Sequence, residues 1–455
     1  MLGYYFQIGF TPTCMSLVEK VTKGLNNKGF KKYAGNVSWM FLGYLVRIGS
    51  KFLVGIYIAR YLGATDYGLY SYAMSFALLF QVLVRLGFRD VVIREIASAE
   101  QDVSTIISTV LRLKLLGAVV AIVLTYVSSQ IINSSYETSL ILIASLYVLF
   151  ETFDVLDYLF QAKVLAKYTV FASVIATVII SVIKFAFILA KLPLVYFVAT
   201  FALEAFLYSA CLYFFFRKDF NLRLNLSLYN PTLATELFKD SWPLALAMAV
   251  TMINTNIDQV MVKNMLSNTS LGYYSVGMRL YTSLNYVPFA VCATLFPAII
   301  NARKQSKQLY AQRIKELYML MFWMGTTFAL ILAFFAEEIV ITLFTEEFKG
   351  AIKVLQISAY TMIPLYLGSA LNKYLVAEKL TKINAVRTGF AVVTNLGLNW
   401  LLIPHYSIEG AATATLAAGI MSVIIVPGFV SSTRRQILWM IQGSSLIVLK
   451  NRLRS

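Results

Sequence analysis

Apolar runs of about 18–25 residues recur along the chain, each long enough as a helix to cross a ~30 Å hydrocarbon core. They predict helices near residues 37–61, 68–86, 107–127, 140–160, 169–189, 194–216, 242–266, 272–300, 317–335, 354–375, 383–403 and 411–430. Backbone polar groups find no water inside a bilayer, so repeated spans of this kind are helical. The pattern predicts an all-α polytopic membrane protein of about twelve transmembrane helices, with both chain ends on one side. Between spans, FRDVVIREIASAEQ alternates charged and apolar residues and predicts an interfacial or cytosolic helix. The segment 217–240 is similar, with Pro231 breaking it, and the apolar-basic tail suits the membrane surface.

The run Trp39–Gly63 departs from the pattern, because it carries Arg47 and Lys51 near its middle. At ~1.5 Å per residue these lie ~15 and ~21 Å beyond Val37. Each costs about 2.5–3.5 kcal/mol to insert, so the pair loads the helix with about 5–7 kcal/mol. Four residues apart, they share one helix face. That face is expected to meet protein or a wet cavity, not lipid.

Composition agrees with a membrane protein. Of 455 residues, 59% are hydrophobic and 13% charged, with mean hydropathy +0.72, against about half apolar and a quarter charged in a soluble globule. The net charge of +17 reads as topology, not as a nucleic-acid footprint. With the N-terminus inside, the outside loops hold only Arg60, Lys191, Lys263, Lys349 and Lys353. Arg47, Lys51, Lys184 and Arg279 fall within spans, and the remaining Lys and Arg fall inside. Trp39 and Trp242 sit at the inner ends of the first and seventh helices, where interfacial aromatics belong. The expected location is the cytoplasmic (inner) membrane, with both termini cytoplasmic. The opening MLGYYFQIGFTPTC lacks the marks of a signal peptide, and Met15 begins a more ordinary lead-in. Cys14, Cys211 and Cys292 fit no metal or redox motif, and the single histidine, His405, builds no metal cluster. No cofactor is expected. P-loop, GxSxG and HExxH signatures are absent and the outside loops are short, so no enzyme is expected.

The chain also repeats itself. LGATDYGLYS at Leu62–Ser71 aligns without gaps with LSNTSLGYYS at Leu266–Ser275. Ser38-Trp39 matches Ser241-Trp242 after a one-residue shift, QAKVLAKYT (161–169) echoes VAEKLTKIN (376–384), and Ala199-Thr200 echoes Ala414-Thr415. Six spans separate equivalent positions, so the halves share one orientation, and parallel repeats place a transport site between them. The expected organisation is a cytoplasmic N-terminal segment (1–36), a six-helix lobe (37–216), a cytoplasmic linker (217–241), a second six-helix lobe (242–430) and a basic cytoplasmic tail (431–455), with a central cavity.

The repeat sets the seventh helix against the first. At the depth of Arg47 and Lys51 it places Asn254 and Asp258, again four apart on one face. Arg279 and Lys184 lie at comparable depth. Arg47, Lys51 and Arg279 are the candidate anion-binding set, since intramembrane cations favour a phosphate or carboxylate. Asn254, Asp258 and Lys184 are the candidate polar and coupling residues, with Asp258 balancing charge or carrying a coupling ion. The competing reading is a structural Lys51–Asp258 or Arg47–Asp258 pair. Glu151, Asp154 and Asp157 read as an inner-mouth cluster pairing with Lys163 or Lys167, or as a proton path. Glu204 has no assignment.

The segments IARYLGATDYGLYSYA (58–73), GFRDVVIREIA (87–97), LDYLFQAKVLAKY (156–168), INTNIDQVMV (253–262), GYYSVGMRLY (272–281) and NLGLNWLLIPHYSIEGAATAT (395–415) occur in that order. Together the chain resembles the polysaccharide flippases, the O-antigen (Wzx-type) branch of the multidrug/oligosaccharidyl-lipid/polysaccharide exporter superfamily. The resemblance implies two six-helix lobes around a cavity. It also implies movement of undecaprenyl-diphosphate-linked sugar units to the outer leaflet for O-antigen, capsule or exopolysaccharide assembly. The pyrophosphate would then lie on cavity cations. Implied partners are the lipid-linked oligosaccharide, membrane lipids, and a polysaccharide polymerase with its chain-length regulator. The alternatives are a cation-coupled multidrug antiporter on a similar scaffold and a membrane polysaccharide polymerase subunit.

Overall fold

In the computed structural model, which describes residues 28–98, 102–220 and 225–444, the longest helix is α1 (Lys28–Leu79). Its 52 residues would span ~78 Å if straight. It folds back at Gly63, where φ is 70° and ψ 177°, a conformation that glycine reaches without steric cost. The fold-back is visible in what it brings together. Arg279 bonds both the Tyr67 hydroxyl and the Lys51 carbonyl, which a straight helix would hold ~24 Å apart.

The helices that follow are α2 (Phe88–Ser98), α3 (Val103–Ile132), α4 (Ser135–Ala162), α5 (Ala166–Leu189), α6 (Leu194–Asp219) and α7 (Pro231–Met265). After them come α8 (Asn268–Gln305), α9 (Lys307–Phe334), α10 (Ala336–Phe344), α11 (Ala351–Ala377), α12 (Lys382–Phe429) and α13 (Ser431–Ser444). Among the described residues every regular element is helical. Eight of these helices are long and apolar enough to cross a membrane, against about twelve expected spans. The difference lies in α1 and α7, which are less apolar, and in α12, one helix that reverses at Ser407.

Local chemistry sets the ends. Asp102 caps α3 by accepting from the Thr105 N–H, and Ser134 with Glu137 forms a capping box on α4. Pro231, expected to break its segment, instead opens α7: Asn230 caps the helix, and a proline in the first turn loses no backbone bond. The expected linker 217–241 is therefore mostly helical in its described residues. α6 runs to Asp219, and α7 continues unbroken from Pro231 through Trp242, burying Leu233 and Leu237. The expected amphipathic helix after the second span is α2, with Phe88, Val91, Val92 and Ile96 buried. α13 packs on α9 and buries Trp439 and Met440. Met15 and the final eleven residues of the tail lie outside the described residues.

Three apolar cores explain the shape. One contains residues of both halves, among them Val54, Tyr67, Ala144 and Phe197 with Tyr274, Phe344, Phe348 and Ala411, and lies at the Gly63 end. The other two are separate: Phe88, Ile107, Leu159, Phe216 and Leu237 in one, Tyr281, Ile314, Tyr318, Tyr366 and Met440 in the other. The lobes are welded at one end and built on independent cores at the other.

The weld uses the sequence repeat itself. The Thr65 and Thr269 hydroxyls bond at 2.8 Å. A Cβ on Gly68 would run into the Asn268 carbonyl, and a Cβ on Gly272 into the Ala64 carbonyl. The two contacts are the same contact exchanged between repeats, so a pseudo-two-fold axis passes beside the threonine pair. Small residues let the two backbones approach this closely. Arg60 bonds the carbonyls of Thr342 and Leu343, and the Ala64 N–H bonds Glu347 at 2.7 Å, closing the same end.

Candidate functional site

A chamber of about 960 Å³ occupies the first lobe, walled by α1, α4, α5 and α6 and faced by Leu244, Ala247, Met248 and Thr251 of α7. A second cavity, about 450 Å³, lies between the lobes toward the weld. The two share Lys51, Leu78, Thr177, Phe201 and Glu204.

Arg47 and Lys51 both line the chamber. Lys51, half exposed there, pairs with Glu204 of α6 at 2.8 Å rather than with Asp258. Glu204, unassigned from sequence, is thus the counter-ion of the first helix. Intramembrane carboxylates rarely stand alone, and that rule was the available signal. Arg279 and Lys184 line the second cavity instead. Arg279 donates to Tyr67 Oη at 2.5 Å and to the Lys51 carbonyl at 2.8 Å, while Lys184 Nζ reaches Tyr70 Oη at 3.4 Å. Lys51 is thus held from both sides, its side chain by the first lobe and its carbonyl by the second.

Asp258 does not face the chamber. It is buried between α7, α8 and α12, accepting from Asn399 Nδ2 (2.7 Å), Thr415 Oγ1 (2.8 Å) and Tyr274 Oη (3.0 Å). The reversal at Ser407 stands midway between Asn399 and Thr415, and so brings both to one depth. Asn399 Oδ1, Gln259 Oε1 and Ser275 Oγ remain without a partner. Asn254 lines neither cavity; Thr255, Asn256, Asp258 and Gln259 line the second. One turn along a helix keeps Asn254 and Asp258 on one face, but α7 turns that face away from the chamber that holds Arg47.

The acids of α4 also find other partners than those expected. Glu151 accepts from Arg85 (2.8 Å) and Gln81 (2.5 Å). Asp154 pairs with Lys114, whose side chain is fully buried and also bonds Tyr158. Asp157 accepts from Gln161 (2.8 Å) and Thr169 (2.6 Å). These bonds replace the expected Lys163 and Lys167 pairs, because α4 turns its acids into the chamber and toward α3. The chamber wall therefore carries the cations Arg47, Lys51, Arg85 and Arg89 together with the carboxylates Asp90, Glu151, Asp154, Asp157 and Glu204. It is polar and mixed, not simply cationic. Outside the membrane segments, Arg94 on α2 bonds Asp240 at 2.6 Å, and this hydrogen bond holds its guanidinium above the usual range. Among the described residues no group of His, Cys, Asp and Glu is arranged to hold a metal ion.

The sequence profile described as polysaccharide biosynthesis protein matches residues 33–303, well over half of the chain and all of the chamber-lining residues. The chain belongs to the polysaccharide biosynthesis protein family. Within curated relatives of this family member, the capsular polysaccharide biosynthesis protein CapF of Staphylococcus aureus is 22% identical, covering 86% of this chain and 97% of the relative. An uncharacterised membrane protein of Methanocaldococcus jannaschii is 23% identical, covering 88% and 82%. Among solved structures, the lipid II flippase MurJ in an inward closed conformation superposes with TM-score 0.71 at 16% identity, covering 90% of each chain. An inward-facing multidrug resistance MATE transporter of the MOP superfamily gives 0.65 at 14% identity, covering 88% of this chain and 96% of its own. This polysaccharide biosynthesis protein is thus a multi-pass membrane protein whose fold is like that of these two structures, its two lobes meeting at an internal repeat.

Proposed function

We infer that the protein is a flippase that moves undecaprenyl-diphosphate-linked oligosaccharide units across the cytoplasmic membrane for surface polysaccharide assembly. Lipid-linked units enter from the end where the lobes have separate cores, and rocking of the lobes about the weld exposes them on the other side. The observation that carries this reading is a chamber of about 960 Å³, presenting Arg47 and Lys51, in a family member whose lobes share an apolar core at one end and have separate cores at the other. The Lys/Arg distribution supports an N-terminus inside, which puts the weld on the outer face and the chamber on the cytoplasmic side.

Arg47 and Lys51 take the diphosphate, since a charge-assisted bond to an oxyanion is roughly twice as strong as a neutral one. Glu204 holds Lys51 until the headgroup competes for it. Asp258 is the coupling-ion site: a buried carboxylate with unpartnered oxygens of Asn399 and Gln259 nearby suits a hard monovalent cation or a proton. A polymerase and a chain-length regulator are the natural recipients of the flipped unit. The five carboxylates of the chamber favour a second reading, cation-coupled multidrug export. Their pairing with Arg85, Lys114, Lys51 and Gln161 counts against it.

Purified protein in liposomes, given a fluorescent undecaprenyl-diphosphate glycolipid, is expected to flip it. Arg47→Gln and the pair-neutral double variant Lys51→Gln/Glu204→Gln are each expected to lower the rate at least about tenfold. Normal flipping and full surface-polysaccharide assembly by variants that insert normally would end the cation role. Saturable uptake of a cationic dye, with no glycolipid flipping, would install the antiporter reading.

A further inference from the structure

The wall of the chamber formed by α4 and the short turn 81–85 that follows α1 has no role in holding a diphosphate. Two of its acids are already paired, Glu151 with Arg85 and Asp154 with Lys114, and Asp157 accepts from Gln161 and Thr169. Two polar atoms on it are buried without any hydrogen-bond partner: the hydroxyl of Tyr147, a residue only 4% exposed, and Oε2 of Glu151. Both residues line the chamber and stand four apart on one helix face. A buried unpaired polar atom is costly, so each marks a place where a bond is completed by something else.

The chemistry of the missing partner can be read from the two atoms. Glu151 Oε2 accepts only, so it requires a donor, and Tyr147 Oη donates or accepts. A phosphate offers acceptors and would be repelled by Glu151 and Asp157. An ammonium group offers only donors and would meet the Arg85 guanidinium. Neighbouring hydroxyls on a neutral molecule satisfy both atoms without disturbing either ion pair. The surrounding planar groups are held rigid by one another: Gln81 and Arg85 on Glu151, Gln161 on Asp157, and Arg89 on Gln161. The helix beneath them is broken by a 3-10 turn at Thr152–Asp154, an interruption that often accompanies function. A chamber of about 960 Å³ stands at the upper end of the ~300–1,000 Å³ typical of ligand sites, so it has room beyond the headgroup.

We propose that Tyr147 and Glu151, supported by Gln81, Arg85, Asp157 and Gln161, form a subsite for the first sugar of the lipid-linked glycan. This wall, not the Arg47–Lys51 face, then selects the substrate. The proposal rests on the flippase reading above and adds to it the location of sugar recognition.

The test compares binding to protein in nanodiscs of bare undecaprenyl diphosphate and of a panel of undecaprenyl diphosphates carrying N-acetylglucosamine, glucose, galactose or a disaccharide. At least one glycosylated lipid is expected to bind more tightly than the bare one. Tyr147→Phe, which removes one hydroxyl and keeps the ring, is expected to erase about two- to tenfold of that preference, the worth of one hydrogen bond, while leaving bare-lipid affinity unchanged. Glu151→Gln is expected to act in the same direction, and Arg47→Gln is expected to weaken bare and glycosylated lipids alike. Equal binding of all lipids by the unmodified protein, or a Tyr147→Phe loss that is the same for bare and glycosylated lipid, overturns the subsite and leaves the headgroup reading standing. Absence of binding by every lipid overturns both.

Discussion

The two lobes share a repeated sequence but are filled differently. The first is hollow and ionic. Its helix α4 carries Glu151, Asp154 and Asp157 into a chamber where each has a partner. By the offset of the 161–169 and 376–384 echo, the matching positions on α11 are Tyr366, Ser369 and Asn372, none of them acidic. Tyr366 is fully buried in an apolar core and donates to the Leu284 carbonyl. The second lobe holds one buried carboxylate, Asp258, among the described residues, on hydrogen bonds alone. Side chains, not the scaffold, make the difference: ion pairs and hydrogen bonds hold the acids of the chamber wall, and hydrogen bonds alone hold Asp258.

The sharpest way to break this comparison is to unpair a charge in the first lobe. Lys114→Met strands Asp154 and is expected to cost about 3–5 kcal/mol, whereas Lys114→Met/Asp154→Leu recovers most of it. Thermal unfolding in detergent measures both. If the single variant unfolds as late as the unmodified protein, pairing is not what maintains the wall.

A smaller loss is expected in the second lobe. Asp258→Asn replaces one of two accepting oxygens by a donor facing Thr415, Asn399 or Tyr274, at about 1–3 kcal/mol. Its larger consequence is functional, since transport is expected to lose its dependence on an ion gradient. An ion-gradient response equal to that of the unmodified protein would remove Asp258 from coupling. The smallest effect belongs to the exposed pair: Arg94→Gln removes the Asp240 contact and is expected to leave the unfolding temperature unchanged, because water replaces it. A large shift there would mean that the contact between α2 and α7 is part of the fold's stability.

Much of the architecture was legible from periodicity alone. Spans of fixed length, the repeat at Leu62–Ser71 and Leu266–Ser275, and the insertion cost of Arg47 and Lys51 follow from hydrocarbon thickness and the expense of charge within it. The repeat proved to be the contact between the lobes as well as a trace of it. The placement of Arg47 and Lys51 on a cavity was likewise readable. Partner identity was not. Lys51 meets Glu204 rather than Asp258, Lys114 rather than Lys163 meets Asp154, and Asn254 lies off both cavities.

The physical reason is one of range. Hydropathy, helical period and repeat spacing act along the chain, so the sequence by itself determined that this is a two-lobed helical membrane protein with charge buried in its first helix. Which charges touch depends on how each helix is rotated about its axis and where α1 and α12 fold back. Packing among distant segments sets both. Only the tertiary structure decided that the cations of the first helix face a chamber whose opposite wall is acidic, already paired, and missing two hydrogen bonds.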